Sequence, residues 1–561
     1  MSTARQHGFI RELLTLMPLS VRNVLICDGG GLAGAYRARN PMADLTGIGV
    51  TDPEGLDRLI EGDPAKLGKA RLMSRDEDGY DLVVLNGTLG RLHDPEPVLR
   101  RLQSVMRPGG YLISCDRNDG HWTVLRDQLM GRGGERGVIG AEALTAMLDG
   151  AGFNLRRMIA RRDPPDLDGA KNWQERLMQL GTEAGLAPDR LRARLSASHL
   201  ICVTESSDTN GRLRPQLRLH QIELAQNMDV RTRVPAAALA SEPSVLLTMA
   251  DARLVAPDLG PAGGVVIVQR PRLSDASLLL NFTAECQKRG IVMVLEYDDD
   301  PSLVARTLPR ADVPEIHDYN FALSHAIQTS TEVLAQKFGR ANPEIRVFDN
   351  VAEDILPLRE HDAGPVRVLF AALNRSGTRE IAARLAPAIK VVPDVQFGVI
   401  HDRQFFDALP TDRKVYYPLL DYRKYMDALS RSDIVLMPLE GLPDELGKSD
   451  VKWVEAASRS AVAIASPVVY ERTIRDGENG FLARTPDDWS RLLVELAKDH
   501  ELRSRVAATA RDEVIQHRMM AGQVAERRNW YRSLMARREE LFTNAMARSP
   551  ALAEAVAKAS A

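Results

Sequence analysis

Cysteine is scarce in this sequence: Cys27, Cys115, Cys202 and Cys286 are the only four in 561 residues, far apart and without a C-x-x-C pair. Such spacing offers neither a zinc site nor a disulfide framework, and it suits a reducing cytoplasm. Long apolar runs are missing too, since no uncharged stretch approaches the ~18 residues of a membrane span. The first residues, MSTARQHGFIRELLTLMPLSVRNVL, carry charges in every apolar turn, unlike a secretory leader. The chain is therefore expected in the cytoplasm, and contact with the inner face of a membrane would have to come from a peripheral surface patch. Nor is there an excess of one charge. The 73 Lys and Arg against 76 Asp and Glu leave a formal net charge of -3, with no global pull toward nucleic acid. No short fixed period repeats.

What is present is ordinary globular composition, 44% apolar and 27% charged, in a chain too long for one core. Short β-branched runs alternate with longer amphipathic stretches, the pattern of α/β units around mostly parallel sheets. "VRNVLICDGGG", "YDLVVLNG", "GGYLISCD" and "SHLICVTES" read as strands of a first block, which ends at the polar "SDTNGRLRP" near residue 207. "SVLLTMAD", "GGVVIVQRP", "GIVMVLEYDDD", "AIQTST" and "EIRVFDN" are strands of a second block. After the break "REHDAGP", the strands "VRVLFAAL", "VQFGVI", "KVYYP", "DIVLMPL", "AVAIAS" and "GFLA" form a third. From about Asp487 onward the chain reads as helix, with a frayed tail over 546–561. The expected limits are 1–206, 207–358 and 359–545.

"GKSDVKWVEAASRSAVAIASP", from Gly447 to Pro467, reads as loop, helix and strand. Lys448 and Lys452 fall in or beside the first helical turn, where the helix dipole favours anions rather than cations. Four residues apart, they share one side. Either solvent absorbs the mismatch or a strongly negative ligand belongs between them.

The first block resembles a class I methyltransferase that binds S-adenosylmethionine. The resemblance lies in "NVLICDGGGLAGAYRARNP", "YDLVVLNGTLGRLHDPEPVLRRLQSVMRPGGYLI" and "HWTVLRDQLMGR", over roughly residues 10–205. It implies that Asp28, Gly30 and Gly34 cradle the cofactor's amino-acid end. The pattern is weakened. Leu32 replaces a small residue, Gly49 stands where the ribose acid is usual, leaving Asp52 as a substitute, and "LGRL" replaces "LEHL".

The second and third blocks, about residues 215–540, resemble a GT-B nucleotide-sugar glycosyltransferase related to glycosyltransferase family 4. The carrying stretches are "ALNR", "RQFFDAL", "DIVLMPL", "KSDVKWVEAA", "ASPVVYERTIRDGENGF" and "WYRSL", in the family's order. The implied architecture is α/β: a Rossmann-like methyltransferase-type domain followed by two Rossmann-like domains in GT-B arrangement. The implied donor is a nucleoside-diphosphate sugar, with no metal required. Its diphosphate would sit at the helix N-terminus, met by Lys448, Lys452 and Arg375. Asn374 and Ser449 would contact the donor as well, and Glu455 would hold ribose hydroxyls. The family's first glutamate would fall at Gly447 and is absent.

Arg375 and Lys452 are the expected catalytic cations, and His317 or His325 the expected general base if the reaction inverts; His401 touches donor or orders its loop. Asp298, Asp299 and Asp300 imitate the metal-binding D-x-D of another glycosyltransferase class, but a cleft-lining role fits their block better. "DGENG" is read as a structural turn, and Trp530 and Tyr531 as anchors of the last basic helix. The acceptor would be a glycan, a lipid-linked glycan or a protein, bound mainly by residues 215–350, with nucleic acid excluded. Two rivals stay open: a bifunctional enzyme that also methylates the glycan, and a non-catalytic glycan-binding or assembly module.

Overall fold

The computed structural model describes residues 3–28, 30–64, 66–75, 78–132, 137–162, 170–208, 210–224, 229–251, 253–271, 276–303, 313–372 and 375–560. The chain forms two compact units, Met1–Gln216 with Ala240–Leu246, and Leu217–Leu239 with Leu247–Ala561.

The first unit is built on strands β1 (Asn23–Cys27), β2 (Asp44–Ile48), β3 (Arg58–Ile60), β4 (Tyr80–Asn86), β5 (Met106–Asn118), β6 (Val138–Ile139), β7 (Phe153–Arg162) and β8 (Ala197–Ser206). Their order is β3-β2-β1-β4-β5-β8-β7, with β6 on β5. β1 is buried at every position, as a central strand covered by helices on both faces must be. The first five strands pair in parallel, but β8 runs antiparallel to both β5 and β7. A parallel reading of the block therefore holds for its first half only. β5 alone is also 13 residues long, twice an ordinary strand.

The second unit holds two six-stranded sheets. One comprises β9 (Leu217–Glu223), β10 (Val245–Asp251), β11 (Gly264–Gln269), β12 (Ile291–Glu296), β13 (Ala326–Thr329) and β14 (Ile345–Val347), in the order β10-β9-β11-β12-β13-β14. The other comprises β15 (Arg367–Ala371), β16 (Gln396–Ile400), β17 (Lys414–Tyr417), β18 (Ile434–Met437), β19 (Val462–Ala465) and β20 (Phe481–Leu482), in the order β17-β16-β15-β18-β19-β20. Every pairing in this last sheet is parallel. Two doubly wound halves in one unit are the GT-B arrangement.

The C-terminal helices tie the halves together. The helix Met520–Ala536 lays Tyr531 against the first half, its hydroxyl donating to Gln328 Oε1 at 2.7 Å, while Trp530 meets Phe348 edge-on. The frayed tail expected over 546–561 is instead helix from Pro550 to Ser560. Leu552 is fully buried in the first half's core and Ala555 and Val556 pack against that core, so burial rather than intrinsic propensity orders the segment.

Candidate functional site

In the last sheet the strand order reverses beside β15, so the chain leaves β15 and β18 in opposite directions and opens a crevice at their carboxyl ends. Arg375 stands just after β15 and the loop Leu439–Lys448 follows β18. That loop is folded on Glu445, which is buried and absent from the sequence-based set. Its Oε2 accepts from the backbone N–H of Glu440 at 2.9 Å, Gly441 at 2.9 Å and Leu442 at 3.3 Å. Its other oxygen lies 3.8 Å from Arg375 Nη1. Nη1 is buried and has no hydrogen-bond partner among the described residues. Asn374, expected beside it, lies outside the described residues.

The helix Val451–Ser458 starts at Asp450. Asp is a favoured N-cap residue, but here its carboxylate is turned to Arg518, at 2.7 Å on both oxygens, and to Thr473 Oγ1 at 2.6 Å. Arg518 also grips the Asn350 carbonyl, and Asn350 Nδ2 donates to Ser449 Oγ at 2.6 Å. The helix start is thus fixed from two directions, and Ser449 is engaged by the protein itself. Trp453 locks the far side, its indole N–H donating to the Asn479 carbonyl at 2.9 Å within the Asp476–Gly480 turn.

The two lysines have different surroundings. Lys448 Nζ, from the loop, reaches Asp299 Oδ1 at 3.3 Å. Lys452, in the first helical turn, has no ion-pair partner among the described residues; its ammonium lies 5.4 Å from the Tyr425 ring centroid. Burial lowers its pKa to about 8, with Arg375 and Lys448 adding repulsion that Glu455 offsets in part. Glu455 is itself buried, which pushes its carboxyl up, and its Oε2 accepts from Tyr425 Oη at 2.9 Å. Arg375, Lys448 and Lys452 therefore share a crevice at a helix N-terminus with the carboxyls of Glu445, Asp299 and Glu455, and of the three cations only Lys452 has no ion-pair partner among the described residues.

Gly447 explains the missing glutamate. A methyl group added there would meet Leu334 Cδ2 at 2.7 Å, because the first half's helix Glu332–Phe338 passes over it. Thr331 Oγ1 donates to the Gly447 carbonyl at 3.1 Å. A side chain at 447 would have to displace Leu334.

The three acids after β12 are consumed by cations. Arg270, at the end of β11, holds Asp298 at 2.7 Å and Asp299 at 2.5 Å, while Lys337 holds Asp300 at 2.5 Å. No cluster of His, Cys, Asp or Glu suited to a metal ion forms among the described residues.

Neither histidine fits the role of base. His325 is fully buried at the amino end of β13, opposite the crevice; its Nδ1 accepts from Met293 N–H at 2.8 Å and its ring packs on Phe542. Burial, reinforced by Arg548, holds its pKa near about 3. His317 is sealed among Tyr297 and Phe321, its Nε2 3.2 Å from Tyr297 Oη, and burial lowers it to about 4. Both are core residues. His401 has a left-handed backbone, and its carbonyl accepts from Tyr416 Oη at 3.1 Å, which orders its loop.

In the first unit, the expected cofactor residues lie together at the carboxyl ends of β1 and β2. Asp28 follows β1 with φ 61° and receives Thr88 Oγ1 at 2.8 Å and Arg91 Nη2 at 2.6 Å on one oxygen, Oδ2. A methyl group on Gly30 would stand 3.0 Å from Thr51 Oγ1, and one on Gly34 3.5 Å from the Glu54 carbonyl. Asp52 is exposed, and its Oδ1 accepts from Glu54 N–H at 3.1 Å within its own turn.

Residues 27–157 match the family model of a methyltransferase domain, and residues 379–527 that of a glycosyl transferase-like domain. The chain thus carries a methyltransferase-type domain followed by a glycosyltransferase-like one. Among solved structures it is similar to the S. aureus TarM G117R mutant in complex with fondaparinux, alpha-GlcNAc-glycerol and UDP, at 12% identity and TM-score 0.38. That match covers 48% of this chain and 55% of TarM, so it spans little more than half of the TarM chain. Anabaena Alr3699/HepE, in complex with UDP and glucose, is similar at 11% identity over 56% of this chain and 100% of its own, with TM-score 0.40. The C-terminal domain of the glycosyl transferase group 1 family protein LpcC from Francisella tularensis is similar at 22% identity, over 28% of this chain and 86% of its own, with TM-score 0.22. No curated protein sequence matches the chain. No helix among the described residues is long and apolar enough to cross a membrane.

Proposed function

We propose that the second unit is a glycosyltransferase that moves a sugar from a nucleoside-diphosphate donor to a hydroxyl acceptor, a glycan or protein being the acceptor class. The observation that carries this reading is Lys452, without an ion-pair partner among the described residues at the start of the helix Val451–Ser458, beside Arg375, whose buried Nη1 makes no hydrogen bond there. Two partly buried cations in one crevice raise each other's cost, and a bound diphosphate removes it. As the glycosidic bond breaks, the leaving diphosphate gains charge, and fixed cations beside it lower the barrier without reorganising. Lys452 and Arg375 would face the phosphates, with Lys448 released from Asp299 to join them, and Glu455 beside Tyr425 would accept from the ribose. The first half, residues 217–347 and their loops, would bind the acceptor. Halves closing on the donor would exclude water and so favour transfer over hydrolysis.

A panel of nucleoside-diphosphate sugars, assayed for transfer and for release of free diphosphate, tests this. Lys452→Ala should lower turnover by roughly 100-fold or more, the loss typical of one donor removed from a developing anion. Turnover equal to wild type would remove the diphosphate assignment.

A further inference from the structure

The methyltransferase-type domain implies S-adenosylmethionine, and its site can be compared with what that cofactor needs. The cofactor's amino-acid end brings an ammonium that requires an acceptor in the first turn, and its ribose diol requires a carboxylate after the second strand. One oxygen of Asp28, Oδ2, already holds Thr88 Oγ1 and the Arg91 guanidinium, and the carboxyl that follows the second strand, Asp52, is turned to its own loop, its Oδ1 accepting from Glu54 N–H at 3.1 Å.

Arg91, whose side chain is about half exposed, is held at its root and by its turn. Its Nε donates to the Gly87 carbonyl at 2.7 Å, which fixes the root of the guanidinium. Its turn, Leu89–Arg91, is pinned by Gly90 N–H donating to the buried Asp116 Oδ1 at 3.1 Å. Gly90 in turn fits so closely against Gly137 that a methyl group would meet that backbone at 2.7 Å. An incoming ammonium would face a guanidinium where it needs an anion, and like charges at that distance repel.

The ribose side is closed by different residues. Gly49, in place of the acid, has φ 62°, and a Cβ there would lie 2.9 Å from Asp28 Oδ1. An acidic side chain at 49 would be strained by the backbone and repelled by Asp28. The loop that follows uses the glycines for its own packing: a methyl group on Gly55 would meet Gly34 Cα at 2.6 Å. The loop after β2 thus packs directly on the helix start at Gly34.

We infer that this domain does not take up S-adenosylmethionine, its cofactor turn being closed by the Asp28–Arg91 ion pair and by the loop after β2. The domain is then a scaffold that kept the fold and lost the cofactor. This stands independently of the glycosyltransferase reading.

Calorimetric titration of S-adenosylmethionine and S-adenosylhomocysteine into the full chain tests the inference, with the melting temperature confirming that the protein is folded. No saturable heat up to ~1 mM is expected, weaker than about -4 kcal/mol of binding free energy. A micromolar dissociation constant, abolished in Asp28→Ala, would overturn it. A second measurement needs no ligand. Because Asp28 works for the fold, Asp28→Ala should lower the melting temperature of the cofactor-free chain by about 2–4 °C, the shift that one lost kcal/mol produces in a domain of this size.

Discussion

At the scale of single residues, Lys452 titrates where biochemistry can see it. Its pKa is lowered to about 8, so the unliganded ammonium begins to lose its proton just above neutrality. Between that value and the ordinary 10.5 the unfolded chain binds more protons than the native one, and this group's contribution to stability therefore rises with pH through the window. A diphosphate favours the charged form and reverses the preference. Binding of a nucleoside diphosphate at pH 8.5 should take up protons, read as a buffer-dependent heat, and affinity should fall from pH 7 to 9. Lys452→Arg should abolish the uptake. Asp299 supplies a second case. It competes with the ligand for Lys448, and Asp299→Asn should tighten nucleoside-diphosphate binding roughly two- to five-fold, the worth of a partly exposed ion pair. Weaker binding would show that Asp299 positions Lys448 instead. The positions of Arg375, Lys452 and Glu455, after a strand and on one short helix, were legible in the sequence because those elements carry clear patterns. Glu445 was not, nor was the pairing of Asp299 with Lys448. Asp299 reaches Lys448 across 149 residues, and Glu445 acts through loop amides that no pattern announces. The histidines misled because proximity to a strand in sequence does not tell which end of it faces the crevice: His325 precedes β13 and so lies at the wrong edge.

At the scale of elements, the site helix is held by a residue far outside it. Arg518 binds both oxygens of Asp450 and the Asn350 carbonyl, so it joins the helix start to the chain after β14. Arg518→Ala leaves a largely buried carboxylate unpaired and should cost about 3 kcal/mol in denaturant unfolding, with donor affinity falling as well. A loss under ~0.5 kcal/mol would place the clamp outside the stability of the unit. Alternation of strand and helix showed the two doubly wound halves in the sequence. It did not show the antiparallel end of the first sheet, since pairing direction depends on how the chain returns and not on the strand's own residues. Nor did it show the last helix, whose Ala-rich sequence has little apolar contrast until Leu552 is seen in the core.

At the scale of the whole molecule, the two units should respond to ligands separately. Nucleoside diphosphates should raise the unfolding temperature of the unit that contains Lys452, while S-adenosylmethionine should move neither transition. The central claim is where the phosphates sit, and a crystal grown with a nucleoside diphosphate measures it most directly. The account predicts phosphate oxygens within hydrogen-bonding distance of Lys452 Nζ and the Arg375 guanidinium, at the first turn of the helix Val451–Ser458. A nucleotide bound elsewhere, with this crevice holding solvent alone, would contradict it.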